Sequence, residues 1–265
     1  MCQNGRVDDA TTERYLARIG FEEVGPPDAT TLRALQHRHL TSVPFENLDI
    51  HLGELVELTE EHLVDKIVRR RRGGFCYELN GLFAALLTAL GYRVELLAAR
   101  VFATPEQPGP PMDHLALRVD LDEPWLVDVG FGRNPVHPLR MASTAEQPDP
   151  EGSFALRPVD AASGDLDLLR DGEPQYRLEP RPRALRDFEP TCWYQQTSPR
   201  SPFTRGPTCS LRTGAGRVTL SGTRLVRTEH GERTERTLTE DEALATYREV
   251  FGMPLDRLPA DPAQR

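Results

Sequence analysis

The sequence predicts an α+β fold in which helices come first and strands follow, and three patterns lead to that prediction. Apolar residues recur at helical spacing through residues 8–90. From residue 93 they alternate in short runs separated by Asp-Gly, Ser-Gly and proline turns, a pattern typical of a barrel or sandwich. A last helical segment covers residues 240–251. The length of the chain allows one compact unit or two to three small domains, and the changes of period predict edges near residues 88 and 188, which divide the chain into 1–88, 89–188 and 189–265.

Residues 8–40 are predicted to form two helices. The apolar face of the first helix contains Tyr15, Leu16 and Ile19. Asp28 or Thr30 is expected to cap the second helix, because such side chains accept hydrogen bonds from the free N–H groups at a helix start.

Charged residues in the next segment are expected to have structural roles. Glu46 lies in the apolar sequence VPFENL and is expected to pair with an arginine, because a buried charge needs a partner. A position close to a functional site is the alternative. Thr59 is expected to cap a helix that runs into the arginine run 69–72, of which at least half should be solvated.

Composition and charge argue against several classes of protein. The chain of 265 residues is 38% hydrophobic and has no apolar run long enough to span a membrane. Its N-terminus lacks the apolar segment of a secretory signal, so a cytoplasmic location is expected. A net charge of −9 argues against general nucleic-acid binding. The four cysteines have neither zinc-site spacing nor a disulfide pattern, so no metal is expected.

The segment around Cys76 contains a strong helical pattern that ends at Gly91. Cys76 would lie at the start of this buried helix, where free N–H groups, the macrodipole and the nearby arginines are expected to favour a thiolate. The alternative is a small core residue without chemistry. The apolar positions of the helix are Leu79, Leu82, Phe83, Leu86, Leu87 and Leu90.

His114 and Asp128 lie on two predicted strands that are joined by the turn sequence Asp-Glu-Pro. Paired residue numbers in an antiparallel hairpin have a constant sum, so any even-sum register places these two side chains on one face. Asp113 would face the other way. A thiolate needs an imidazole to accept and return protons, and the imidazole needs a carboxylate to orient it. Cys76, His114 and Asp128 are therefore the candidate catalytic residues.

The sequence Gly130-Phe131-Gly132 follows Asp128 closely. Paired glycines beside a catalytic carboxylate would let a ligand approach the backbone. An ordinary turn at the end of a strand is the alternative.

Five segments together resemble the arylamine N-acetyltransferase family over almost the whole chain. They are VPFENLDIH at 43–51, RRGGFCYELNGLF at 71–83, DHLALRV at 113–119, WLVDVGFG at 125–132 and SPRSPF at 198–203. The resemblance implies a helical bundle, then a β-barrel, then an α/β lid, with a catalytic core like that of cysteine proteases.

The resemblance also implies the chemistry of the site. Cys76 would be the nucleophile, His114 the base and acid, and Asp128 the orienting carboxylate. Acetyl-CoA would be the acyl-donor substrate and an arylamine or arylhydrazine the acceptor, in a ping-pong reaction without a metal. Four residues are expected to contact the donor or the acceptor: Phe131, Gly132, Phe203 and, more weakly supported, Phe102.

Two positions depart from the family pattern. Asp113 stands where threonine or serine is common, and its carboxylate is expected to affect the imidazole or to repel an anionic donor. Arg133 stands where another glycine is frequent, and it either holds a CoA phosphate or marks a different cleft mouth.

Other functions stay open at the level of the sequence. Relatives in the same family act as amide synthases, which form a macrolactam from a carrier-bound polyketide and an aryl amine, so an acyl carrier protein would be a partner. The same three residues also fit a cysteine hydrolase, or a binding module with an inactive triad. Triad chemistry is shared, and specificity lies in the pocket.

Overall fold

Helices dominate the chain up to residue 89, as the spacing of apolar residues predicts. The computed structural model describes residues 7–22, 24–133 and 135–262. Asp28 caps the second helix by accepting a hydrogen bond from the Thr31 N–H at 2.8 Å, which confirms one of the two predicted caps. The helices are α1 (Asp9–Arg18), α2 (Ala29–Ser42), α3 (Leu48–Leu52), α4 (Glu60–Leu63), which continues as a π-helix (Val64–Arg69), and α5 (Cys76–Ala89).

Helix α5 is the centre of this part of the molecule. The sequence predicts an apolar stripe, but the structure buries every residue from 76 to 87. A helix that is apolar on nearly all sides is stable only when it is surrounded, and α5 contacts α1, α4 and the first strands of the barrel. The polar residues Glu78 and Asn80 are therefore buried with it and need partners.

The segment from residue 93 to residue 183 forms a curved antiparallel sheet. After the short strand β1 (Phe45–Glu46), which lies among the helices, the strands are β2 (Arg93–Thr104), β3 (Gln107–Pro108), β4 (His114–Asp120), β5 (Pro124–Val127), β6 (Leu139–Arg140), β7 (Gln147–Asp149), β8 (Gly152–Pro158), β9 (Leu166–Arg170) and β10 (Glu173–Arg183). In the described chain the order of the sheet is β6-β5-β4-β2-β10-β9-β8-β7, a nearly closed barrel, with β3 attached to β2. The alternating runs predicted as strands are thus confirmed, and of the two predicted architectures the sheet forms the barrel.

The last part of the chain combines a second antiparallel sheet with helices. Two of its elements have no counterpart in the sequence-based prediction: a helix over residues 189–197, and a strand over residues 232–237 whose side chains are all exposed. The elements are α6 (Glu189–Thr197), short 3₁₀ turns at Leu185–Phe188 and Pro202–Thr204, β11 (Thr208–Thr213), β12 (Gly216–Ser221), β13 (Arg224–Glu229), β14 (Glu232–Thr237) and α7 (Glu240–Glu249).

The second sheet is tied to the N-terminal helices. Strand β1 (Phe45–Glu46) pairs with β11, and Leu48 and Leu52 lie in one core with Cys209 and Tyr247. The domain edges at residues 88 and 188 stay a prediction. In the ranges that the structure describes, no helix has the length and apolar character needed to cross a membrane.

Candidate active site

Cys76 is the first residue of α5, and only 4% of its surface is exposed. The start of the helix is held by Glu78, whose side chain accepts a hydrogen bond from the Phe75 N–H at 3.1 Å. Burial raises the pKa of the Cys76 thiol well above its ordinary value, although a backbone hydrogen bond from Leu115 acts in the opposite direction. Burial thus acts against the thiolate that the helix start and the arginines are predicted to favour.

The arginines before Cys76 are either exposed or paired with carboxylates. Arg69, Arg70 and Arg71 are exposed, which confirms that at least half of the run is solvated. Arg72 is buried and donates to Glu46 at 3.0 Å and to Asp49 at 2.7 Å. Glu46 thus has the arginine partner that the sequence predicts.

Arg72 belongs to a buried ion cluster behind the start of α5, formed by Glu46, Asp49, Lys66, Arg72 and Glu78. The Lys66 ammonium lies 2.6 Å from a carboxylate oxygen of Asp49 and 2.6 Å from one of Glu78. Burial raises the pKa of Glu78 to about 7, even with Lys66 beside it. Below that pH the cluster contains two cations and two anions, so its charges balance.

The same carboxylates form the group in the described ranges that has metal-ligand spacing. Single ligand atoms of Asp49, His62 and Glu78 lie within 4.8 Å of one another. Because the Lys66 ammonium already contacts both carboxylates, it supplies the positive charge that a metal ion would bring. The cluster is therefore structural in character.

His114 and Asp128 meet in the barrel wall as the hairpin argument predicts. Strands β4 and β5 pair Leu117 with Val127, so the register has an even sum. The His114 Nε2 atom lies 2.8 Å from Asp128 Oδ2, and both side chains are buried. This hydrogen bond leaves Nδ1 as the second ring nitrogen of the imidazole.

Further groups hold the Asp128 carboxylate in place. Asn80 Nδ2 donates to its Oδ1 at 2.9 Å, as does the Gly130 N–H, and the Tyr176 hydroxyl donates to Oδ2 at 3.2 Å. Asn80 also donates to the Leu115 carbonyl and accepts from the Val129 N–H. Asn80 thus ties the catalytic helix to both strands of the hairpin.

The glycine that allows a close approach is Gly130, and the approaching group is Cys76. A Cβ at position 130 would lie 2.6 Å from Cys76 Cα and 2.7 Å from Asn80 Nδ2. At Gly132 a Cβ would meet nothing within 4 Å. Gly130 is therefore required so that α5 can pack against the hairpin, and Gly132 is open.

The aromatic residues predicted to contact substrates differ in their neighbours. The Phe131 ring lies 5.3 Å from the His114 ring, and the Phe203 ring lies 5.1 Å from that of Phe75, the neighbour of Cys76. The guanidinium of Arg177 lies 5.7 Å from the Phe102 ring. Phe131 thus contacts a candidate catalytic residue and Phe203 the neighbour of another, whereas the contact found for Phe102 is with Arg177.

Sequence reasoning missed Asn80 and Tyr176. Asn80 follows Cys76 by four residues in a largely apolar helix, so it lies on the same face, and that spacing could have identified it. Tyr176 reaches Asp128 from β10, and its ring lies 5.0 Å from the His114 ring. No local pattern points to Tyr176, because its partners are distant in the sequence.

The arrangement has the parts needed for acyl transfer through a cysteine. It combines a buried thiol at the start of a helix with an imidazole that is hydrogen-bonded to a carboxylate.

Comparison with known proteins supports this assignment. A family model described as N-acetyltransferase matches residues 28–259. An arylamine N-acetyltransferase of Mycobacterium tuberculosis is 36% identical over 250 residues, covering 90% of this chain and 88% of the relative. Human arylamine N-acetyltransferase 1 is 34% identical over 274 residues, covering 92% and 94% respectively.

Solved structures agree with the sequence comparison. The arylamine N-acetyltransferase of Salmonella typhimurium has a TM-score of 0.85 at 27% identity, covering 96% of this chain and 95% of that one. The enzyme of Mycobacterium marinum, solved in complex with CoA, has a TM-score of 0.82 at 34% identity, covering 92% and 93%. The chain therefore belongs to the arylamine N-acetyltransferase family, whose members are acyltransferases.

Proposed function

We propose that this chain transfers an acetyl group from acetyl-CoA to an arylamine or arylhydrazine through a thioester on Cys76. The observation that carries the proposal is that α5 packs Cys76 closely against the hairpin at Gly130, and that this hairpin holds His114 hydrogen-bonded to Asp128. Family membership supports the acyl donor, since a relative has been solved with CoA.

In the first half-reaction His114 acts as the base. Its Nδ1 accepts the Cys76 proton while the sulfur attacks the acetyl carbonyl carbon, so a C–S bond forms and a tetrahedral oxyanion develops. The bond to the CoA sulfur then breaks, and the imidazolium returns the proton to the departing thiolate. Asp128 stabilises the imidazolium between these two steps.

The second half-reaction repeats these steps with an amine. The amine nitrogen attacks the acetyl-cysteine, His114 accepts a proton from it, and the C–S bond to Cys76 breaks as the thiol regains its proton. The product is the amide, and the enzyme returns to its starting state. Because Cys76 and His114 are buried, bulk water has little access to the thioester.

We also propose binding roles beside the triad. The N–H of Cys76, at the free end of α5, would stabilise the oxyanion. Phe131, whose ring lies beside His114, and Phe203, whose ring lies beside Phe75, would contact pantetheine or the acceptor. Gly132, which has open space beside it, would also contact the substrate. Phe102 is the weakest of these assignments. A cytoplasmic location fits the free cysteines Cys76, Cys192 and Cys209 in the described chain.

Intact-protein mass spectrometry tests the proposal. We expect brief incubation with acetyl-CoA to give one acetyl adduct, mapped to Cys76 and removed by an arylamine or hydrazide. An adduct that persists after addition of the amine would contradict the second half-reaction. No adduct, in a protein whose Cys76 still reacts with iodoacetamide, would overturn acetyl-CoA as the donor and favour a carrier-bound acyl chain.

A further inference from the structure

The backbone immediately before His114 is held in an unfavourable conformation. Met112 has a φ of 61°, in the left-handed region that side chains other than glycine rarely adopt. The Tyr77 hydroxyl, next to the candidate nucleophile on α5, donates to the Met112 carbonyl at 2.8 Å and lies 3.1 Å from that of Asp113. Such strain persists where the surroundings over-determine the backbone, and here it occurs two residues from the imidazole.

The Asp113 side chain is held from the opposite side by α6. Gln195 Nε2 donates to Asp113 Oδ1 at 2.7 Å, and Ser201 Oγ donates to Gln195 Oε1 at 2.6 Å. The Phe203 N–H donates to Ser201 Oγ at 3.1 Å. Gln195 and Ser201 are almost fully buried, so the bond between them is shielded from water. A continuous chain of hydrogen bonds therefore connects Phe203 to the residue before His114.

All the donors in this chain point in one direction. The N–H of residue 203, the hydroxyl of Ser201 and the amide of Gln195 each donate towards Asp113, where a carboxylate ends the chain. A hydrogen bond to a charged acceptor is stronger than one between neutral groups. The sequence prediction that Asp113 faces away from Asp128 agrees with this contact.

We propose that Asp113, Gln195 and Ser201 are positioning residues that hold the His114 strand and the Phe203 segment in one geometry. A substrate that packs against Phe203 is then held at a set position relative to the imidazole. The inference deepens the proposed acyl transfer and rests on it for the identity of that substrate. The positioning role itself does not depend on the identity of the substrate, and it predicts an effect on the reaction of Cys76 with any electrophile.

The chain offers a matched control on the same helix. Gln196 is the neighbour of Gln195, and its side chain bonds to the N–H and carbonyl of Val56 at 2.8 and 3.1 Å. These bonds attach α6 to the segment before α4, and Gln196 Nε2 also donates to the sulfur of Cys192 at 3.4 Å. Gln196→Met and Gln195→Met therefore remove similar side-chain bonds, but only the second breaks the connection to Asp113.

The test compares the two variants in two reactions, namely formation of the acetyl-enzyme at saturating acetyl-CoA and alkylation of Cys76 by iodoacetamide. We expect Gln195→Met to slow both reactions about tenfold, as for loss of one hydrogen bond to a charged group. Gln196→Met should stay within about twofold of wild type in both reactions. Equal losses in the two folded variants, or no loss in Gln195→Met, would overturn the positioning role.

Variants at Asp113 test the bond itself. Asp113→Asn keeps an oxygen that accepts from Gln195, so it should lose less activity than Asp113→Ala. The losses from Asp113→Ala and Gln195→Met should not add, because each removes the same bond. Additive losses, or equal losses in the Asn and Ala variants, would overturn the inference.

The alkylation reaction separates this inference from the proposed function. If acetyl-CoA forms no adduct while Gln195→Met still slows alkylation about tenfold, the donor assignment fails and the positioning role stands. If the adduct forms and alkylation is equally fast in wild type and Gln195→Met, the positioning role fails and the acetyltransferase stands.

Discussion

Two buried polar groups flank the start of α5, and they use charge in opposite ways. Behind the helix start, the ion cluster places the cations Lys66 and Arg72 against carboxylates at 2.6 to 2.9 Å. In front of it, the triad contains an acid, an imidazole and a thiol, with Asp128 held by neutral donors.

The comparison shows where the activation of Cys76 must come from. The nearby cations are paired with carboxylates, and both burial and the neighbouring carboxylates Asp113 and Asp128 raise the pKa of the thiol. In the proposed mechanism the thiol therefore needs His114 to accept its proton. One helix start thus lies between a paired ion cluster and the site of the proposed proton transfer.

The largest expected effect comes from substitutions in the candidate triad. Cys76→Ala should abolish transfer, and His114→Ala and Asp128→Asn should lower it roughly 10³-fold or more, because the triad acts as a unit. Steady-state transfer from acetyl-CoA to an arylamine measures this effect. Retained transfer in folded Cys76→Ala would rule out the covalent mechanism.

Removal of a cation tests the structural role of the ion cluster. Lys66→Met should lower the free energy of unfolding by about 3–5 kcal/mol, because it leaves buried carboxylates without their partner. The control is Arg70→Met, which removes an exposed pair with Glu54 and should cost less than about 1 kcal/mol. Urea denaturation measures both, and equal costs would contradict the structural role of the cluster.

The contact between α5 and the hairpin is tested by a pair of glycines. Gly130→Ala should destabilise the protein by about 1–3 kcal/mol and lower transfer, because the new methyl group would overlap Cys76 and Asn80. Gly132→Ala meets open space, so its free energy of unfolding should match that of wild type. Thermal unfolding and transfer assays distinguish the two variants. Equal stability of the two would show that the contact is not tight.

The smallest expected effect is a pH dependence of stability that originates in Glu78. Its pKa is about 7 in the folded protein against an ordinary value of 4.5. A raised folded-state pKa gives stability that is fully present below pH 4.5 and is lost as the pH rises to about 7. Between these values wild type should therefore lose about 1 kcal/mol or more relative to Glu78→Gln. This expectation would be contradicted if the urea midpoints of the two proteins changed by the same amount between pH 5 and pH 7.5.

Features that depend on neighbours in the chain were predictable from the sequence. The helices around Tyr15 and Leu32 and the hairpin that carries His114 and Asp128 follow from local spacing, whereas the even sum of the hairpin register is decided by the structure. Helix α6 and strand β14 were not predicted, because α6 lacks a regular apolar stripe and β14 is exposed on every residue.

The identity of the candidate triad was thus determined by the sequence, through residue types, spacing and motif. Only the tertiary structure decided the electrostatic state of Cys76, the partners of Arg72, and the support of Asp128 by Tyr176. Periodicity reports which face of an element is buried. A pKa or a hydrogen bond depends instead on burial and on distances of a few ångströms between groups that lie far apart in the chain.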